Sequence, residues 1–243
     1  VIVDKPIRIG VLTPSSNTAL EPLTSAIVSV MPGVTAHFSR FHVTQIALSD
    51  QALGQFDDSK ILSAAELLAD ANPDVITWSG TSAGWMGFEK DVLLCERITE
   101  RTGIRASTAI LSLNELLKIK RVKRLGLVTP YTGDVQEKII ANYAKIGIEV
   151  VAETHREISV NFDFALVEPA EIESDLLQVS RAQPEAIVTY CTNLRAAHLA
   201  DRFESQTQIP LLDTVSTTVW GALRAVGADP AGIKGWGQLF EWK

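Results

Sequence analysis

Cysteine and histidine are scarce in this chain. Its 243 residues hold two cysteines, Cys95 and Cys191, and four histidines, His37, His42, His155 and His198. Two cysteines make no disulfide framework, and the scattered histidines lack metal-ligand spacing, so no metal site is expected. No apolar run approaches the ~20 residues of a membrane span. Residues 1–8 mix charged and apolar types and lack a signal-peptide h-region. No membrane association is therefore expected, and the cytoplasm is the expected compartment. Lysine and arginine are nowhere clustered, and the net charge of -7 argues against a nucleic-acid surface. A small anionic ligand is compatible with that sign, because local donors can oppose the overall charge.

What is present is an ordinary globular composition, 46% hydrophobic and 21% charged, long enough for one large domain or two small ones. The chain is organised around Glu185-Ala186-Ile187-Val188-Thr189-Tyr190-Cys191-Thr192-Asn193, an apolar run that stops at a cysteine and two small polar residues. Asp74-Val75-Ile76-Thr77-Trp78-Ser79-Gly80-Thr81-Ser82 repeats that pattern without a gap, and a proline, Pro184 or Pro73, precedes each run. Gly80 stands where Cys191 stands. A second pair supports the repeat: Ile9-Gly10-Val11-Leu12-Thr13-Pro14 against Leu125-Gly126-Leu127-Val128-Thr129-Pro130.

Hydrophobic periodicity predicts strands at 7–14, 34–43, 74–79, 124–130, 149–153 and 185–190. It predicts helices over 21–30, 59–71, 88–101, 108–119, 135–146, 170–181 and 217–226. Residues 207–212 mirror 102–105. The repeat spans about 110 residues, too long for a solenoid, whose periods are ~20–50. The expected fold is α/β: two pseudo-symmetric, doubly wound half-domains with mainly parallel sheets and a cleft between them. The expected division is 1–119, completed by the C-terminal helix at 213–243, and 120–212.

The loops after corresponding strands carry Asn17, then Gly80-Thr81-Ser82, then Tyr131-Thr132, then Cys191-Thr192-Asn193. Facing halves would bring them together, and hydroxyls with backbone N–H groups at helix starts make a site for carboxylate oxygens. Each group also has a plainer reading. Cys191 reads as a buried small hydrophobe, Ser16 and Asn17 as helix caps, Tyr131 as a cover for a sheet edge and Asn161 as a loop residue. Cys95 reads as core, the five tryptophans as packing or interface residues, His155 and His198 as surface residues. Glu21 and Asp213 read as helix-start carboxylates. Candidates for a pocket wall are Phe41, Val43, Trp85, Val160 and Leu194. The Trp-rich stretch at 236–242 hints at a packing surface and leaves a homo-oligomer open.

Pro14-Ser15-Ser16-Asn17-Thr18, Gly80-Thr81-Ser82, Pro130-Tyr131, Asn161-Phe162 and Tyr190-Cys191-Thr192 together resemble the aspartate/glutamate racemase superfamily. Within it the chain is most similar to maleate cis-trans isomerases and arylmalonate decarboxylases. The resemblance covers nearly the whole chain and implies a small dicarboxylic acid substrate and no cofactor. Racemases and isomerases of this kind carry two cysteines, one per half; Cys191 matches the second, and the first falls on Gly80. The decarboxylases keep only the second, with Gly-Thr-Ser at the first position. There Thr81, Ser82 and Tyr131 are implied to hold a carboxylate that becomes an enediolate. Ser16, Asn17 and Asn161 look more like the isomerases, whose two asparagines bind substrate carboxylate; Thr132, Thr192 and Asn193 complete the expected binding set.

Two-base racemisation needs an acid/base on each face, which glycine does not supply. Isomerisation needs a nucleophilic thiolate. Decarboxylation needs one oxyanion cradle and one proton donor, Cys191. The expectation is therefore cofactor-independent decarboxylation of a substituted malonate-type diacid. The alternatives are a cis-trans isomerase of a maleate-like enedioate using Cys191, and a non-catalytic small-diacid binding protein.

Overall fold

The computed structural model describes residues 6–56 and 58–242. Residues 1–5, part of the stretch read above for a signal peptide, lie outside the described residues. The first half runs β1 (Ile7–Pro14), α1 (Leu20–Ser29), β2 (Val34–Phe41), α2 (Asp50–Leu53), α3 (Asp58–Ala69), β3 (Val75–Trp78), α4 (Ala83–Met86), α5 (Glu89–Thr102), β4 (Ala106–Thr108) and α6 (Ala109–Ile119). The second runs β5 (Arg124–Val128), α7 (Gly133–Lys145), β6 (Glu149–Thr154), α8 (Asn161–Phe164), α9 (Pro169–Ser180), β7 (Ala186–Thr189), α10 (Ala200–Thr207), β8 (Leu211–Asp213) and α11 (Thr214–Ala225).

Each half builds one four-stranded parallel sheet, ordered β2-β1-β3-β4 and β6-β5-β7-β8. The central strands β3 and β7 are buried at every residue, as their unbroken apolar runs require when helices cover both faces. Gly126 shows how closely those helices seat. A Cβ there would stand 2.5 Å from Val179 and 2.8 Å from Ile187, so only glycine lets α9 lie down on β5.

Side-chain caps set several helix boundaries. Thr108 Oγ1 accepts the Leu111 N–H at 3.1 Å at the start of α6. Asp213 holds the matching place before α11 and accepts from Val215 N–H at 2.8 Å. That cap begins α11 at Thr214, three residues before the periodicity suggests. Glu168 and Glu171 form a capping box around Pro169 at the start of α9. The mirrored stretches at 102–105 and 207–212 lead into the short strands β4 and β8. The helices α2, α4 and α8 have four residues each, too short for a periodic signal.

The C-terminal helix lies against the first half. Helix α11 packs on α6 and α1, Trp220 Nε1 donates to the Trp242 carbonyl at 3.2 Å, and Lys120 Nζ sits 4.7 Å above the Trp242 ring. Trp242 in the tryptophan-rich tail thus covers its own chain.

Strand order reverses between β1 and β3 in one sheet and between β5 and β7 in the other. Open α/β sheets bind ligands outside the carboxyl ends of the strands at such switch points. Here the two switch points meet at one seam.

Candidate active site

The four strand-end loops meet across that seam. After β3 come Gly80, Thr81 and Ser82; after β5 comes Tyr131, whose hydroxyl lies 2.7 Å from Thr81 Oγ1. After β7 comes Cys191. Its Sγ accepts the Asn193 N–H at 3.4 Å and interacts with the Tyr131 hydroxyl. These groups, with Asn161 and Thr192, form the polar lining of one cavity. Its apolar lining is Pro14, Val43, Ile46, Trp78, Trp85 and Phe164. The free space is about 20 Å³, enough for one water molecule. Nothing larger than a water molecule fits this closed cleft unless the covering loops move apart.

Those covering loops come one from each half. Residues 43–46 follow β2 and residues 158–161 follow β6, joined by an antiparallel bridge at Gln45 and Val160. Ile46 N–H donates to Ser159 O at 2.8 Å, and Asn161 N–H to Thr44 O at 2.9 Å. This strap carries Val43, Ile46 and Asn161 to the cavity, while Val160 itself points outward, 47% exposed. Of the other expected wall residues, Trp85 lines the cavity, Phe41 packs behind Trp78, and Leu194 is buried away from it.

Four residues expected to bind substrate do not line the cavity. Asn17 Oδ1 accepts from Ala19 and Leu20 N–H at the start of α1, and its Nδ2 donates to Thr192 Oγ1 at 3.2 Å. Ser16 donates to Val43 O at 2.7 Å and accepts from Asn161 Nδ2 at 2.9 Å. Asn193 Oδ1 accepts from Thr18 and Ala19 N–H, and its Nδ2 donates to Asn161 O. These three side chains tie the halves together and hold the polar lining in place. Thr132 stands apart, partly exposed before α7, where its hydroxyl donates to Asp134. Thr192 both lines the cavity and donates to Ser79 O across the seam at 3.2 Å.

Electrostatics favour protonated groups here. Cys191 is 3% exposed. Burial pushes its thiol up to about 12, against the pull of the Asn193 N–H and the Tyr131 hydroxyl; the charge of Asp213 raises it further. Burial and the neighbouring Cys191 hold the Tyr131 hydroxyl well above its ordinary value. Among the described residues no Lys, Arg or His lines the cavity, so nothing cationic stabilises a thiolate. At neutral pH Cys191 is a thiol and Tyr131 a neutral donor. Among the described residues no group of three or more His, Cys, Asp or Glu side chains could hold a metal ion.

The remaining candidates have structural partners. Glu21 pairs with Arg40 at 2.9 Å. Asp213 caps α11 and accepts the Thr189 hydroxyl at 2.7 Å; burial raises its carboxyl to about 6. Cys95, expected in the core, is half-buried on α5. The lining residues absent from the expected set are Pro14, Ile46, Phe164 and Trp78. Of these, Trp78 reads in the sequence as a packing residue, and only its ring position against Gly80 brings it to the site.

With the geometry described, the chain can be set beside known proteins. The family model described as arylmalonate decarboxylase matches residues 19–240. A cysteine-to-alanine variant of the maleate isomerase of Pseudomonas putida S16, solved with maleate, is 24% identical, with a TM-score of 0.90 and 98% of each chain covered. A cysteine-to-serine variant of the Nocardia farcinica maleate cis-trans isomerase, with a covalently bound succinylcysteine intermediate, is 22% identical. Its TM-score is 0.87, covering 98% of this chain and 99% of that one. At such identities these two structures establish the fold alone. The arylmalonate decarboxylase of Bordetella bronchiseptica is 23% identical over 184 residues, covering 74% of this chain and 77% of its own.

Proposed function

This chain belongs to the arylmalonate decarboxylase family, and from that premise we propose that it decarboxylates a substituted malonate-type diacid without a cofactor. The observation that carries this reading is a single protonated thiol, Cys191, beside the Thr81–Tyr131 hydroxyl pair. One substrate carboxylate accepts hydrogen bonds from Thr81, Ser82 and Tyr131. The other lies against the apolar side of the cavity, formed by Val43, Ile46 and Phe164. The bond from the α-carbon to that second carboxylate breaks, CO2 leaves, and the electron pair moves through the α-carbon into the held carboxylate as an enediolate. Neutral donors aimed at that developing charge stabilise the transition state, each contributing ~2.7–4 kcal/mol. The Cys191 S–H then gives its proton to one face of the α-carbon, and the thiolate regains a proton from water.

A second reading, isomerisation of a maleate-like enedioate, is favoured by the whole-chain likeness to maleate isomerases and by Asn161 on the cavity wall. It requires Cys191 to add to a double bond as a thiolate. Burial without a neighbouring cation opposes that form, and Gly80 supplies no second sulfur.

The test is CO2 release from aryl- and alkenylmalonates beside conversion of maleate to fumarate, with wild type and Cys191→Ala. The decarboxylase reading expects CO2 from a malonate, no fumarate, and loss of turnover in the variant. Fumarate from maleate with no malonate turned over would reverse the order of the two readings. No turnover of either substrate class, with diacid affinity unchanged in Cys191→Ala, would leave a binding protein.

A further inference from the structure

Asp91 lies in the first turn of α5, where a carboxylate ordinarily faces both water and the helix dipole. Here it is 2% exposed, and its Oδ2 is buried without a hydrogen-bond partner. The side chain lines a second cavity of about 100 Å³, room for several water molecules at ~10–15 Å³ each. Lys90, Leu93 and Arg97, all exposed on α5, line the outer side of that cavity. Trp78 and Ser82 line it and the active-site cleft alike, and no other residue belongs to both. An indole N–H only donates, whereas a serine hydroxyl donates and accepts. The shared wall therefore passes a proton through Ser82 where no molecule passes. Burial pushes the Asp91 carboxyl up to about 7, against the pull of the Thr108 hydroxyl, so it exchanges protons with water near neutrality. The other groups that its charge reaches, Cys95 on α5, Tyr143 on α7 and Tyr190 after β7, are themselves raised and stay neutral.

We propose that Asp91 and its cavity are the proton entrance to the closed cleft, returning a proton from bulk water to Cys191 by way of the Ser82 hydroxyl. Water protonates the Asp91 carboxylate, which gives that proton to water in the cavity. Ser82 Oγ accepts a proton on the cavity side and releases its own on the cleft side. There the one water that fits hands it to the Cys191 thiolate. One proton leaves solvent, one S–H bond forms, and Asp91 and Ser82 end as they began. Asp91 lines no part of the cleft and acts only through Ser82. The proposal rests on the decarboxylase reading for the need of a fresh proton in every turnover; the path itself belongs to the resting protein.

The test follows the protonated product of an arylmalonate by rapid quench and in steady state, with wild type and Asp91→Asn. Asparagine keeps the shape of the side chain and carries no acid proton. Cys191 already holds its proton for the first turnover, so the variant is expected to form one product per site at the wild-type rate. Later turnovers are expected to slow about tenfold, ~1.4 kcal/mol of barrier. Asp91→Ala gives the same comparison in a second variant, and formate, small enough for the enlarged cavity, is expected to restore its later turnovers. A further readout needs no substrate. With Cys95→Ala in both backgrounds, the infrared S–H band of Cys191 is expected to convert to S–D in D2O about tenfold more slowly with Asp91→Asn, the same ~1.4 kcal/mol. First and later turnovers slowed together in both variants would show a structural role and overturn the proposal. A steady state at the wild-type rate, or S–H exchange at the wild-type rate, would overturn it equally. A wild type that forms no product from any malonate would count against the decarboxylase reading alone, because the thiol exchange still decides the path.

Discussion

Cys191 gains its proposed role by staying protonated. A free thiol titrates near ~8.5, whereas burial carries this one to about 12. The rate of malonate decarboxylation should therefore show no falling limb between pH 7 and about pH 10 attributable to thiol ionisation. A descending limb near pH 8.5 in kcat would contradict the role. Cys191→Ala should lower kcat by about 10²- to 10⁴-fold, the usual worth of a general acid. Tyr131→Phe removes one donor from the held carboxylate and should cost ~2.7–4 kcal/mol of barrier; steady-state kcat with the fold checked by melting reads this directly. At this scale Cys191, Gly80, Thr81, Ser82 and Tyr131 were legible because a strand-end position repeated twice in the chain is visible as pattern. Trp78 was not, because a buried tryptophan reads as packing until its ring is seen lying against Gly80. Asn17 and Asn193 were legible as polar loop residues, but which of their bonds go to backbone depends on the partner half, some 175 residues away in sequence.

The segment after β6 shows how one element positions another. His155 sits between two carboxylates, with Nδ1 2.9 Å from Glu153 and Nε2 3.0 Å from Glu157. Glu157 in turn accepts the Gly133 N–H at 3.1 Å, and its own N–H donates to Tyr131 O at 3.0 Å. The chain on both sides of Tyr131 is thus tied to this histidine. The hydrogen bond to Glu153, above all, raises the imidazole above its ordinary value. A raised folded-state value means the stabilisation is complete below the unfolded value of about 6.5 and disappears as pH rises through the folded one. His155→Gln should therefore lower Tm at pH 5.5 and have little effect at pH 9; an equal loss at both would exclude a protonation-linked clamp. Sequence placed His155 on the surface and showed none of this, since the two glutamates flank it at i−2 and i+2, a spacing that helical periodicity ignores. The long helices were legible from apolar spacing, whereas α2, α4 and α8 amount to about one turn each. Helix α4 is placed by its packing on α7 of the other half.

On the scale of the whole molecule, two copies of one α/β unit bring their switch points together. We propose the division at 1–119 with 213–243, and 120–212, because α11 packs on α6 and α1 of the opposite half. The described part of that division excludes residues 1–5, 57 and 243. The seam is held by Asn17–Thr192, Thr18–Asn193, Ser16–Asn161 and Thr192–Ser79 hydrogen bonds. Aromatic contacts join it too, among them Trp85 on Tyr131 with centroids 5.4 Å apart. Both the parallel sheets and the shared cleft were readable from the long repeat, but the closed state was not, since the bridge between Gln45 and Val160 joins loops without periodic signal. Among the described residues no helix is long and apolar enough to cross a membrane. The claim on which the functional reading rests is that one protonated thiol faces a wall able to stabilise negative charge but not to deliver a proton. Its most direct test is the decarboxylation of a prochiral aryl(methyl)malonate in D2O, followed by chiral chromatography and NMR of the product. The account predicts one enantiomer of the 2-arylpropionate carrying a single α-deuterium, formed by wild type and lost in Cys191→Ala. A racemic product, or the same enantiomer formed undiminished by Cys191→Ala, would contradict it.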